Sequence, residues 1–115
     1  MESLPLEVVT DATFTDRVLD ADVPVVVLYW ATWCAPCRQL LPIMEELAGW
    51  YRDRVRIVRI DTDAATATPQ AQGVHGVPTV QLFRSGAEVA RFQGARTKIE
   101  LTEAIDGLLA GELSA

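Results

Sequence analysis

Apolar positions along the chain follow two rhythms. Val25-Val26-Val27-Leu28-Tyr29-Trp30 runs without polar alternation, which predicts a strand buried on both faces. Leu6 to Val9 reads as a shorter apolar strand. Between them Phe14, Val18 and Leu19 share one helical face, with Thr10 or Asp11 as the candidate cap. Further on, Leu40, Met44, Leu47, Ala48 and Tyr51 form the stripe of a longer helix. Pro42 lies inside it and should kink it, since proline has no N–H and crowds the preceding turn.

Val55 to Ile60 mixes apolar residues with arginine and predicts a half-exposed strand. Residues 61–73 hold a short, weak helix starting near Ala64 or Ala65. Thr79 to Phe83 and Glu88 to Phe92 flank Ser85-Gly86 and read as an antiparallel hairpin. Thr97 and Glu100 have capping-box spacing for a last helix whose buried stripe is Leu101, Ile105, Leu108 and Leu109. Gly111 should stop that helix, and the last few residues should fray. Trp30 reads as core, and Trp50 as a partly buried helix residue or the mark of a contact surface.

The element order is therefore β-α-β-α-β-α-β-β-α. Its first half requires parallel pairing by right-handed crossovers, and its closing hairpin adds antiparallel strands. The expected fold is α/β, a mixed central sheet of about five strands flanked by four helices. At 115 residues the chain suits one domain, residues 1–115. Ten basic against sixteen acidic residues give a net charge of −6. That balance argues against nucleic acid or anionic membranes as partners. The first residues lack the basic-then-apolar pattern of a signal peptide, and no apolar run approaches membrane-spanning length, so a reducing cytoplasm is the expected compartment.

Only two cysteines are present, Cys34 and Cys37. In a reducing compartment a structural bridge is disfavoured, and one closing so short a loop would constrain the unfolded chain little. They follow a buried strand and open a helix. Unpaired N–H groups and the positive end of the helix dipole then favour the thiolate of the first cysteine. Pro36 suits the first helical turn. The chemistry such a pair supports is exchange. Cys34 attacks a disulfide, a mixed disulfide forms, and Cys37 attacks Cys34 to release the reduced product.

Trp30-Ala31-Thr32-Trp33-Cys34-Ala35-Pro36-Cys37 resembles the W-A-x-W-C-G-P-C segment of the thioredoxin family. Gly76-Val77-Pro78-Thr79 is similar to its G-I/V-P-T, Phe83-Arg84-Ser85-Gly86 to its F-K-N-G, Gly94-Ala95 to its G-A loop, and Pro42 to its helix-kinking proline. The resemblance implies a thioredoxin fold and a protein disulfide reductase. It also implies a cis Val77-Pro78 bond packed against the cysteine pair. Trp33, Gly76, Val77, Pro78, Gly94 and Ala95 would form a substrate-binding patch around Cys34, with Val77 pairing to an extended substrate strand. No cofactor or metal is expected in the protein itself. Re-reduction would come from a flavin-dependent thioredoxin reductase, and a monomer is expected.

Two positions depart from the family pattern. Ala35 replaces the usual glycine, a mild change that could shift the redox potential. Leu28 stands where many members carry a buried aspartate, the group that handles the proton of the second cysteine. Without it Cys37 should be harder to deprotonate, slowing release from the mixed disulfide unless a water serves as base. Arg59 stands where the family often has a lysine near that aspartate, and would have lost its partner.

Other readings stay open at this level. Leu28 is compatible with a thioredoxin-fold binding or chaperone-like adaptor of weak redox activity. An oxidant or isomerase differs from a reductase in potential. Two chains could share a metal through two cysteine pairs, and the cysteines could be plain core thiols. His75 either tunes the charge of the active face or is simply solvated. Asp61 and Asp63 suggest acid–base work or, more simply, a strand-end cap.

Overall fold

The computed structural model describes residues 2–112. Its sheet has the order β1-β3-β2-β4-β5, from strands β1 (Glu7–Val8), β2 (Val25–Trp30), β3 (Arg56–Asp61), β4 (Thr79–Arg84) and β5 (Ala87–Gln93). The β1, β3 and β2 strands run parallel, while β4 and β5 are antiparallel to their neighbours. Three α-helices accompany them: α1 (Ala35–Trp50), α2 (Ala67–Ala71) and α3 (Lys98–Ala110). The mixed α/β architecture expected from the pattern is present.

Side-chain alternation divides the strands between two cores. Val26, Leu28, Ile57, Val80 and Leu82 face α1 and α3, meeting Leu40, Met44, Leu47, Leu101, Ile105 and Leu108. Val25, Val27, Tyr29, Val58, Ile60 and Phe83 face the opposite layer, where Phe14, Val18, Ala65 and Val74 cover them. Burying both faces of β2 explains its unbroken apolar run.

The local signals at the C-terminal half hold. The hairpin turns through Ser85 and Gly86, both at positive φ. The Thr97–Glu100 capping box is complete, and Gly111 ends α3 in the left-handed region at φ 76°. Leu101, Ile105 and Leu108 are buried, whereas Leu109 is only partly so. The expected fraying falls largely on residues 113–115, outside the described residues.

Four expectations need correction. The first helical segment is one wide turn, Thr15–Leu19, with Phe14 at its start and no side-chain cap. Asp11 instead accepts the Ala67 and Thr68 N–H groups (3.1 and 2.8 Å), so it caps α2 from 56 residues away. Helix α2 accordingly starts at Ala67 rather than near Ala64 or Ala65. The β3 strand is not half-exposed: Ile57, Val58 and Ile60 are buried and both arginines are partly covered. Trp50 is 55% exposed, more open than a partly buried reading implies.

Candidate active site

Cys34 is the N-cap of α1, with extended backbone (φ −90°, ψ 107°) and Pro36 in the first turn behind it. The residues before it leave β2 through Ala31, whose carbonyl accepts the Cys34 N–H (3.1 Å). The capping position aims Cys34 Sγ at the free amides of the helix start, and it accepts the Cys37 N–H at 3.3 Å. The two sulfurs are joined as a disulfide within one turn, with Cα atoms 5.3 Å apart. Burial is unequal: Cys34 keeps 4% exposure and Cys37 none. Of the pair, only Cys34 keeps any exposed surface.

The second wall is the loop after α2. The Val77–Pro78 peptide is cis, and Val77 packs against the cluster of Ala31, Cys34 and Cys37. Thr79 Oγ1 donates to the Gly76 carbonyl (2.7 Å), and Gly94 N donates to the Pro78 carbonyl (2.9 Å). These bonds hold the loop at its middle and at its end. The N–H and C=O of Val77 itself enter no hydrogen bond among the described residues. Two hollows flank this ridge. One, of about 420 Å³, is lined by Trp33, Thr62, Pro69, Val74, His75 and Val77. The other, of about 300 Å³, is lined by His75, Gly76, Val77, Pro78, Gln93 and Gly94.

Trp33, Gly76 and Val77 border the first hollow, and Gly76, Val77, Pro78 and Gly94 the second. Ala95 is exposed and follows directly on Gly94. Trp33 is 67% exposed, yet its indole is oriented: Nε1 donates to Asp63 Oδ2 at 2.9 Å. Asp61 Oδ1 accepts the Asp63 N–H (2.9 Å), the strand-end turn that was the simpler reading of this pair. Nothing in the sequence pointed to Asp63 as the holder of the Trp33 indole. His75 is exposed and borders both hollows.

These matching features—a C-x-x-C helix cap, an opposed cis-proline loop and a five-stranded mixed sheet—agree with the comparisons. A family model described as Thioredoxin matches residues 5–107. The chain belongs to the thioredoxin family. It is 41% identical over 98 residues to the thioredoxin of Pseudomonas aeruginosa, covering 85% of this chain and 91% of that one. It is 38% identical over 98 residues to thioredoxin 1 of a Nostoc species, covering 85% and 92%. It is 35% identical over 101 residues to the chloroplastic M-type thioredoxin of Chlamydomonas reinhardtii, covering 88% and 72%. The family and its redox-active cysteine pair make the chain a thiol–disulfide oxidoreductase, a protein disulfide reductase.

The position at which the resemblance implied a buried aspartate is apolar. Leu28 is fully buried among Leu40, Met44 and their neighbours. Arg59 lies directly opposite it in the β2–β3 register. Its guanidinium stacks on Trp30, with Cζ 5.2 Å from the ring centroid. Both Arg59 Nε and Trp30 Nε1 are buried without a hydrogen-bond partner among the described residues. Trp30 in turn packs against the cysteine cluster. Neither a grouping of three potential metal-ligating side chains nor a helix long and apolar enough to cross a membrane occurs among the described residues.

Proposed function

We propose that Cys34 is the nucleophile and Cys37 the resolving thiol of this reductase. The unequal exposure of the two residues, together with the place of Cys34 at the helix cap, supports that assignment. In the reduced protein the Cys34 thiolate attacks one sulfur of a substrate disulfide. A Cys34–substrate bond forms, and the other substrate sulfur leaves as a thiolate and takes up a proton. Cys37 then gives up its proton and attacks Cys34. The Cys34–Cys37 bond forms, the mixed disulfide breaks, and the second substrate sulfur leaves. Two electrons have passed from the protein dithiol to the substrate.

Trp33, Gly76, Val77, Pro78, Gly94 and Ala95 form the docking surface in this reading. The free N–H and C=O of Val77 suit pairing with an extended substrate segment. Small residues at 76, 94 and 95 let its backbone approach closely. Pro36 and Ala35 shape the first turn behind Cys34. Leu28 leaves the proton of Cys37 to water or to the departing substrate thiolate, and Arg59 sets the charge of the layer behind Trp30. The substrates are disulfide-bearing proteins, and a flavin-dependent thioredoxin reductase restores the dithiol. The protein acts as a single-domain monomer in the cytoplasm and needs no cofactor of its own.

The test is the reduction of insulin disulfides with dithiothreitol as electron source, together with trapping of the intermediate. Native protein should accelerate the reaction, and Cys34→Ser should abolish the acceleration. Cys37→Ser should accumulate a mixed disulfide through Cys34. A mixed disulfide formed through position 37 in Cys34→Ser would reverse the assignment.

A further inference from the structure

The loop that carries Gly76, Val77 and Pro78 has a third anchor, at its upstream end, supplied by the edge strand β5. Arg91 stands opposite Gln81 in the β4–β5 register. Its guanidinium donates from Nη2 to the Gln72 carbonyl (2.6 Å) and from Nη1 to the Gly73 carbonyl (3.1 Å). These two residues end α2 and lead directly into Val74 and the loop; Gly73 makes the change of direction at φ 68°.

The same guanidinium is held in place by Glu88. Arg91 Nε donates to Glu88 Oε2 (2.6 Å) and Nη2 to Glu88 Oε1 (3.0 Å). Gln72 is also gripped by its side chain. Fully buried Gln81 donates to Gln72 Oε1 (3.0 Å) and accepts from the Tyr29 hydroxyl (2.6 Å). The central strand β2, through Tyr29, and the edge strand β5, through Arg91, thus converge on one residue pair. A planar guanidinium can serve a carboxylate and two carbonyls together in fixed directions, which an ammonium cannot.

We propose that Arg91 is a positioning residue for disulfide exchange with proteins: by fixing the Gln72 and Gly73 carbonyls it sets where the Gly76–Val77–Pro78 segment lies relative to Cys34. The proposal rests on the reductase reading and on strand pairing at Val77. A protein substrate must align with Val77 while its sulfur reaches Cys34, so a displaced loop weakens productive docking. A small aromatic disulfide reaches Cys34 without pairing and is indifferent to the loop's placement.

The experiment mixes pre-reduced protein with excess insulin or with dithiobis-nitrobenzoate and follows single-turnover rates for native protein, Arg91→Met, Arg91→Lys and Glu88→Gln. Arg91→Met is expected to raise the half-saturating insulin concentration by about ten-fold while changing the limiting rate by less than about two-fold. Its rate with the aromatic disulfide should match native, and amide exchange at Val74, whose N–H donates to the Pro69 carbonyl (2.8 Å), should accelerate while that of β2 does not. Arg91→Lys should recover only part of the loss. An unchanged insulin response, or equal losses on both disulfides, overturns the proposal. If Arg91→Met does not fold, Glu88→Gln keeps the guanidinium but removes its clamp. A smaller loss confined to insulin then supports the proposal, and no loss or an equal loss overturns it. Native protein that reduces neither disulfide overturns the reductase reading itself; native turnover with an unselective effect at Arg91 overturns this inference alone.

Discussion

Arg59 faces Leu28 across the parallel β2–β3 pairing, and its guanidinium rests on the ring of Trp30 instead of on a carboxylate. Leucine at this position avoids the cost of a buried acid and supplies no base for the Cys37 proton. The fold and the chemistry are therefore set against each other at one position.

Leu28→Asp should separate the two. Replacing a fully buried leucine by a carboxylate should cost about 3 kcal/mol even with Arg59 opposite, measured as a lowered urea midpoint. Turnover of insulin disulfides should rise on the order of ten-fold, since a positioned base assists removal of the Cys37 proton. Leu28→Asn should lose similar stability and gain no rate. Equal rates in native protein and Leu28→Asp would mean that loss of the Cys37 proton does not limit turnover.

Trp33 is exposed but oriented by Asp63. Asp63→Ala frees the indole to sample other rotamers over the hollow it lines. The half-saturating concentration of protein substrate should rise by about three-fold with a nearly unchanged limiting rate, a pattern of weakened docking. The melting temperature should stay close to native, as exposed substitutions outside caps and cores seldom matter to stability. A large loss of stability would assign Asp63 to the fold and not to docking.

Acid should weaken the fold through two carboxylates in particular. Hydrogen bonding to Arg17 holds the Glu7 carboxyl below its ordinary value of 4.5, and hydrogen bonding to Arg91 does the same for Glu88. A depressed folded-state pKa means stability that is fully present above pH 4.5 and lost as the pH falls through the lower folded value. Both pairs are about a third exposed, so each contributes less than about 1 kcal/mol. Urea midpoints recorded from pH 7 to pH 3 should fall on the acid side, and more shallowly in Glu88→Gln. An acid limb of the same steepness in that variant would remove Glu88 from the account.

The α2 cap offers a local test. Asp11 supplies the acceptors for the first N–H groups of α2, and hydrogen bonding from the Thr68 side chain, then from these backbone groups, holds its carboxyl below the ordinary range. Asp11→Ala should speed amide exchange at Ala67 and Thr68 several-fold while leaving β2 and β4 protected, because opening of a short helix is a local event. Uniform acceleration across the chain would mean instead that the cap supports global stability.

The elements that were readable in advance are those whose cause is local. An unbroken apolar run announced β2, positive-φ positions the β4–β5 turn, and a Thr–Glu spacing the start of α3. The cysteine pair was readable for the same reason: Cys34 caps the helix that contains Cys37. Its opposing loop was recognised by the order of its motifs, whereas its position against the sulfurs was implied only by family likeness.

What the chain order leaves open is which distant groups satisfy one another. Asp11 looked like the cap of the helix that follows it, and it caps α2 because β1 and β3 pair and bring the two ends together. Arginines made β3 look half-exposed, but the fold covers them, one beside Glu7 and one on Trp30. Gln81 and Arg91 reach the end of α2 only once β4 and β5 lie in register. The sequence by itself determined the segments, their faces and the reactive pair, since periodicity, capping and turn chemistry act within a few residues. The tertiary structure alone decided how the Gly76–Pro78 loop is braced and where the Arg59 guanidinium rests, because side-chain hydrogen bonds and burial depend on register between strands remote in sequence.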